Sequence, residues 1–110
     1  MSTQHPELAA GRWKTLSLLE QMANVGSEVE RTIAWRSKGR EESAMRAFER
    51  ALELLDLTLA DARHRGRRRE LARVREGLVD HFCCDNEYQS RDQDWQRYFL
   101  RFAVAARACR

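Results

Sequence analysis

The side chains best suited to chemistry lie mid-chain, in Asp61-Ala-Arg-His-Arg-Gly-Arg-Arg-Arg-Glu-Leu-Ala-Arg-Val-Arg75. Between Arg63 and Arg75 stand seven Arg and one Glu, a net of +6 in a chain whose total is +3, so the remaining residues sum to about −3. Charge segregated in this way predicts a surface for an anionic partner. Arginine suits phosphate because its planar fork donates two parallel hydrogen bonds. Arg63, Arg65, Arg67, Arg68, Arg69 and Arg73 are the candidate contacts, and backbone N–H groups at the start of the next helix would add to the pull on an anion. The competing reading pairs these arginines with the acidic residues Glu49, Glu53, Asp56 and Asp61, or with a second subunit. No interleaved aromatics accompany them, which argues against sequence-specific reading of a single strand.

A second constellation is Arg75-Glu-Gly-Leu-Val-Asp-His81, an Arg and a His with five residues between them on one helix. The pair resembles the arginine–histidine signature of HEPN domains, small helical bundles that often act as ribonucleases. The resemblance implies a dimer in which the Arg and His of two subunits face each other. Arg75 would then hold the phosphate and His81 would assist proton transfer at the attacked 2′-hydroxyl. Glu76 departs from the family pattern, which usually has Asn, Asp or His there, and it places negative charge beside the phosphate.

The third is Asp80-His-Phe-Cys-Cys-Asp-Asn-Glu87. On a helix His81 shares a face with Cys84 or Asp85, as a pair of metal ligands would. A structural zinc site needs four ligands in paired spacings, and no second pair exists. Cys83 and Cys84 are therefore expected to be small buried apolar side chains, and neither metal nor cofactor is implied. A glycine-rich phosphate loop, a G-x-S-x-G elbow and an HExxH pair are all missing.

These residues need a scaffold, and the composition points to helices. Ala, Leu, Glu and Arg dominate the 110 residues, 34% are charged, and there is one Pro. The regular turn punctuation of an all-β chain is lacking. No apolar run approaches the roughly 20 residues of a membrane span, and the first residues lack the basic and apolar segments of a secretory signal. Three Cys, two of them adjacent, suit a reducing cytoplasmic setting.

Residues 1–12 read as a flexible tail and 13–110 as one domain of four helices. The first begins at Ser17-Leu-Leu-Glu20, a capping-box spacing, and ends at Gly39. Its apolar stripe, Leu19, Met22, Gly26, Val29 and Ile33, is widened by Leu18, Val25, Thr32 and Trp35, so this helix should touch more than one neighbour. The second buries Ala44, Phe48, Ala51, Leu52, Leu55 and Leu59, and is broken by Gly66. The third buries Leu71, Val74, Leu78 and Phe82. Gly77 within it costs about 1 kcal/mol against Ala, which close helix contact would offset, with Gly26 as its counterpart. The fourth starts from a capping box at Ser90-Arg-Asp-Gln93 and buries Trp95, Phe99, Phe102, Ala106 and Cys109. Short connections between such helices predict an all-α, up-down-up-down four-helix bundle.

In length, helix count and charge this plan resembles the accessory (Avd-type) subunits of diversity-generating retroelements. Those are small bacterial bundles that form homo-oligomeric rings with a basic surface. The resemblance implies a non-catalytic accessory module that binds nucleic acid, RNA or DNA. Trp13, Leu18, Val25 and Trp35 are the residues expected at an interface between copies. Two alternatives stand beside it: a HEPN-like ribonuclease using Arg75 and His81, and a pure protein–protein adaptor.

Overall fold

The computed structural model describes residues 11–108. It is all-helical, with α1 over Leu18–Ser37, α2 over Glu41–Ala60, a 3-10 segment over Ala62–Arg67, α3 over Arg68–Cys83 and α4 over Asp92–Ala108. Residues 11–13 add a short helical turn, and no strand occurs among the described residues. Most of the expected tail (residues 1–10) and Cys109 lie outside the described residues.

The ends of α1 follow their sequence signals. Ser17 Oγ accepts from the Glu20 N–H at 3.2 Å and the Ser17 N–H donates to Glu20 Oε1 at 3.0 Å, which closes the capping box. At the other end Gly39 takes φ +74°. The Arg40 N–H reaches back to the Trp35 carbonyl and the Gly39 N–H to that of Arg36, a left-handed stop open to glycine without strain.

α1 is the central helix and runs against both α2 and α4. The width of its stripe has this cause. Met22, Val25 and Val29 meet Ala47, Phe48, Ala51 and Leu55 of α2, Leu71, Val74 and Leu78 of α3, and Phe99 and Phe102 of α4 in one core. Leu52, Leu59, Phe82 and Trp95 are only half-buried around it, while Ala47 and Thr58 are buried outside the expected stripe of α2.

Gly26 of α1 and Gly77 of α3 each receive an aromatic ring of α4. A Cβ on Gly26 would stand 2.7 Å from the Phe99 Cβ, and one on Gly77 would stand 2.9 Å from Cη2 and Cζ2 of Trp95. Close contact does offset the poor helix propensity of Gly77, but the two glycines serve different rings and are not each other's counterpart. Tyr98 adds a polar tie between α4 and α3, its O–H donating to Glu70 Oε2 at 3.0 Å. Burial, and then the Glu70 carboxylate, hold this phenol well above its ordinary range.

Two expected boundaries are corrected. α2 ends at Ala60 rather than at Gly66, whose φ is not positive. The break comes from Asp61, whose side chain accepts the Arg63 N–H at 3.0 Å and starts the 3-10 segment, an Asx-type turn that competes with continued helix. At α4 the capping side chain is Asp94, whose Oδ2 accepts the Arg91 N–H at 2.9 Å. Ser90 is engaged elsewhere.

Candidate functional site

The basic segment is built on a buried polar knot. Gln21, fully buried on α1, donates its amide N–H groups to the Trp13 carbonyl at 2.8 Å and to Asp61 Oδ2 at 3.1 Å. Its carbonyl oxygen lies 2.9 Å from His64 Nε2, so that nitrogen carries a proton. Arg63 grips Asp61 with Nε and Nη2 and also donates to the Leu16 carbonyl at 2.8 Å. The Arg63 guanidinium is the main reason the Asp61 carboxyl is held far below the usual carboxylate range. It outweighs the opposing effect of burial, and the Arg63 N–H and Gln21 amide assist. The knot fixes where the arginines begin.

From there the arginines divide. Arg63 is tied to Asp61, Arg67 to Glu70 at 3.0 Å, and Arg75 to Asp56 at 2.7 Å. Arg65, Arg68, Arg69 and Arg73 are exposed, and among the described residues none of their guanidinium groups meets an acidic partner or a hydrogen-bond acceptor. On α3, Arg69 and Arg73 are four residues apart and so lie within about 40° of each other on the helix surface, with Arg68 about 100° round from Arg69. The start of α3 is less open than expected, because the Arg68 N–H already bonds to the Arg65 carbonyl. Attraction for an anion here rests on guanidinium groups.

Arg75 and His81 are not brought together within the chain. Arg75 faces α2 through Asp56. His81, with 7% of its side chain exposed, has both ring nitrogens engaged at the far end of α3. Nε2 lies 2.8 Å from Asp92 Oδ1, and Nδ1 lies 2.8 Å from Ser90 Oγ. Ser90 Oγ also receives the Trp95 indole N–H at 3.2 Å. Asn86, at φ +53°, clamps Ser90 from both sides, accepting its N–H and donating to its carbonyl. Asp80 accepts the N–H groups of Glu87 and Tyr88. The α3–α4 loop is therefore tightly bonded.

Cys83 and Cys84 are exposed, contrary to the burial expected of them. α3 ends at Cys83, and Cys84 leaves the helix with extended backbone. What burial Cys83 retains, and then the neighbouring Cys84, push its thiol up from its ordinary value. Among the described residues no group of three or more His, Cys, Asp or Glu is placed to hold a metal, and no helix is long and apolar enough to cross a membrane.

Of the residues expected to face a second copy, Trp13 is 7% exposed and Val25 fully buried. Trp13 closes the core over α2, donating its indole N–H to Thr58 Oγ1 at 3.1 Å. Leu18 and Trp35 are half-buried, and the Lys38 ammonium sits over the Trp35 ring. Exposed apolar side chains stand instead on α4, at Leu100 (57%) and Val104 (55%).

The chain matches no known protein family, and comparison with characterised proteins and with solved structures finds no match. The HEPN and Avd-type resemblances therefore rest on the quoted residues and on the helical architecture alone.

Four residues that organise these sites carry no signal of their own in the sequence. Gln21 is a lone amide inside an apolar stripe, and His64 is hidden among arginines. Ser90 and Asp92 have the spacing of a helix cap, which is the commoner use of those residue types.

Proposed function

We propose that the protein is a binding module that contacts nucleic acid through Arg65, Arg68, Arg69 and Arg73. The observation carrying this reading is that these four guanidinium groups have no acidic partner among the described residues, whereas Arg63, Arg67 and Arg75 do. An arginine kept exposed and unpaired on a chain with 17 acidic residues is available to an external phosphate. Arg63 and Arg67 belong to the support of the surface, since each is already held by a carboxylate.

The reading takes the helices as an up-down-up-down bundle, consistent with their short connections. It also takes the protein as self-associating, for which the exposed pair Leu100 and Val104 is the best support. A single-species mass equal to one chain by light scattering would remove that part.

Anisotropy of labelled RNA and DNA at about 50 and about 200 mM salt tests the main proposal. Four phosphate contacts should weaken binding by about 50- to 150-fold over that interval, the lower figure for single strands. Absence of binding at the lower salt would overturn it and turn the search towards a protein partner.

A further inference from the structure

We propose that Ser90 is a nucleophile that takes an acyl group from activated carboxylic esters, with His81 as its base and Asp92 positioning the histidine. The three come together from the end of α3, the following loop and the first residue of α4. Asp92 Oδ1, which as a carboxylate oxygen accepts and cannot donate, lies 2.8 Å from His81 Nε2. In the neutral imidazole that nitrogen carries the proton, which leaves Nδ1 as an acceptor. Ser90 Oγ lies 2.8 Å from Nδ1 and 3.2 Å from Asn86 Oδ1, so its hydroxyl proton has two acceptors, of which the nearer is a base. In serine hydrolases the nucleophile faces Nε2 and the carboxylate Nδ1. Here the ring is used the other way round, and the proton path is the same.

Packing holds the histidine in place. The His81 side chain is 7% exposed and stands edge-on to Phe82, with ring centroids 4.6 Å apart. On its open side Ser90 lines a cleft of about 460 Å³ with Arg73, Glu76, Gly77, Tyr88 and Trp95. Gly77 gives the Trp95 ring room, the ring forms an apolar wall, and Arg73 places an unpaired cation at the cleft. Glu76 on the same lining is occupied by the Tyr88 O–H at 3.0 Å, so Arg73 is the group that would hold a short acyl chain ending in a carboxylate.

The step balances without a co-reactant. Ser90 Oγ attacks the ester carbonyl and its proton passes to His81 Nδ1. Asp92 stabilises the imidazolium through Nε2. The C–O bond to the alcohol then breaks, and the alcohol leaves with the proton from Nδ1, giving acyl-Ser90. The N–H groups of Ser90 and Arg91 are already donated to Asn86 and Asp94. The donor that remains beside Oγ is the Trp95 indole N–H at 3.2 Å. With so thin an oxyanion site, the proposal is of acylation of Ser90, and the readout is covalent.

The test treats the full chain with the 4-nitrophenyl monoester of succinic acid, following nitrophenolate release and mapping the acyl group by peptide mass spectrometry. We expect one equivalent on Ser90, none there in Ser90→Ala, and acylation slowed roughly 100-fold or more in Asp92→Asn, where the histidine tautomer is no longer fixed. Circular dichroism of both variants shows whether they are folded. Arg73→Ala should slow reaction of the succinyl ester by a larger factor than it slows that of 4-nitrophenyl acetate. An acyl group found only on Cys83, Cys84 or Lys, or an equal rate for wild type and folded Asp92→Asn, overturns the proposal.

Discussion

Phe99 closes over Gly26 so tightly that a Cβ added at Gly26 would stand 2.7 Å from the Cβ of Phe99. The atom in the way is fixed to the α4 backbone, so relief requires α4 to move away from the central helix. Overpacking of this kind costs about 1–3 kcal/mol, against a gain of about 1 kcal/mol in helix propensity. Gly26→Ala should therefore destabilise the fold by up to about 2 kcal/mol, read from the urea midpoint at constant m. A stabilised variant would show that the α1–α4 contact is looser than described.

Gly77→Ala tests the opposite case. The Trp95 atoms 2.9 Å away are the far end of the ring, and a ring can swing. Its cost is the indole bond to Ser90, on the order of 1 kcal/mol, which the gain in helix propensity offsets. Stability should change by less than about 1 kcal/mol while Trp fluorescence shifts as the ring moves towards water. Loss of stability as large as that of Gly26→Ala would count against this account.

Gln21→Leu keeps the volume at the buried knot and removes its polar atoms. The Trp13 carbonyl, Asp61 and the His64 Nε2–H all lose a partner. The Leu16 N–H still reaches the Trp13 carbonyl and Arg63 still holds Asp61, so the His64 Nε2–H is the buried group left without a hydrogen bond, and a loss of about 1–3 kcal/mol is expected in chemical denaturation. Asn24→Leu is the control: its side chain is exposed and reaches only the Glu20 carbonyl, and it should cost well under 1 kcal/mol.

Acid should unfold the protein partly through Asp61. Its folded carboxyl is depressed from an ordinary 3.8, so its contribution is fully present above that value and is lost as pH falls through the folded one. Asp94, depressed chiefly by the Arg91 N–H, acts with the same sign. Asp61→Asn should be less stable than wild type at neutral pH, and the gap should close as pH falls below about 3. Parallel stability curves for the two proteins would show that the Arg63–Asp61 pair is not the cause.

The helices were legible in the sequence because their signals are local. The Ser17–Glu20 box and Gly39 fix α1, and the three- and four-residue steps of Met22, Gly26 and Val29 name its buried face. The sites were less legible because they depend on residues distant in sequence. Nothing near Arg75 marks Asp56 as its partner, and nothing near His81 marks Ser90 and Asp92 except a spacing that also caps helices. Trp13 shows the same limit. Its exposure could not be judged without Thr58, which lies 45 residues away.

The division of the arginines gives the last prediction. Arg69 and Arg73 share a face of α3 and have no acidic partner among the described residues, whereas Arg75 is held by Asp56 at 2.7 Å. A phosphate contact removed lowers the salt slope of binding by about 0.7–0.9. Arg69→Ala and Arg73→Ala should each do this for labelled RNA or DNA and leave stability within about 0.5 kcal/mol of wild type. Arg75→Ala should leave the slope alone and cost at most about 1 kcal/mol, the usual worth of an exposed ion pair. If instead all three variants lower the slope equally, pairing does not decide which arginines bind. Binding would then follow the total charge of the segment rather than the four unpaired guanidinium groups.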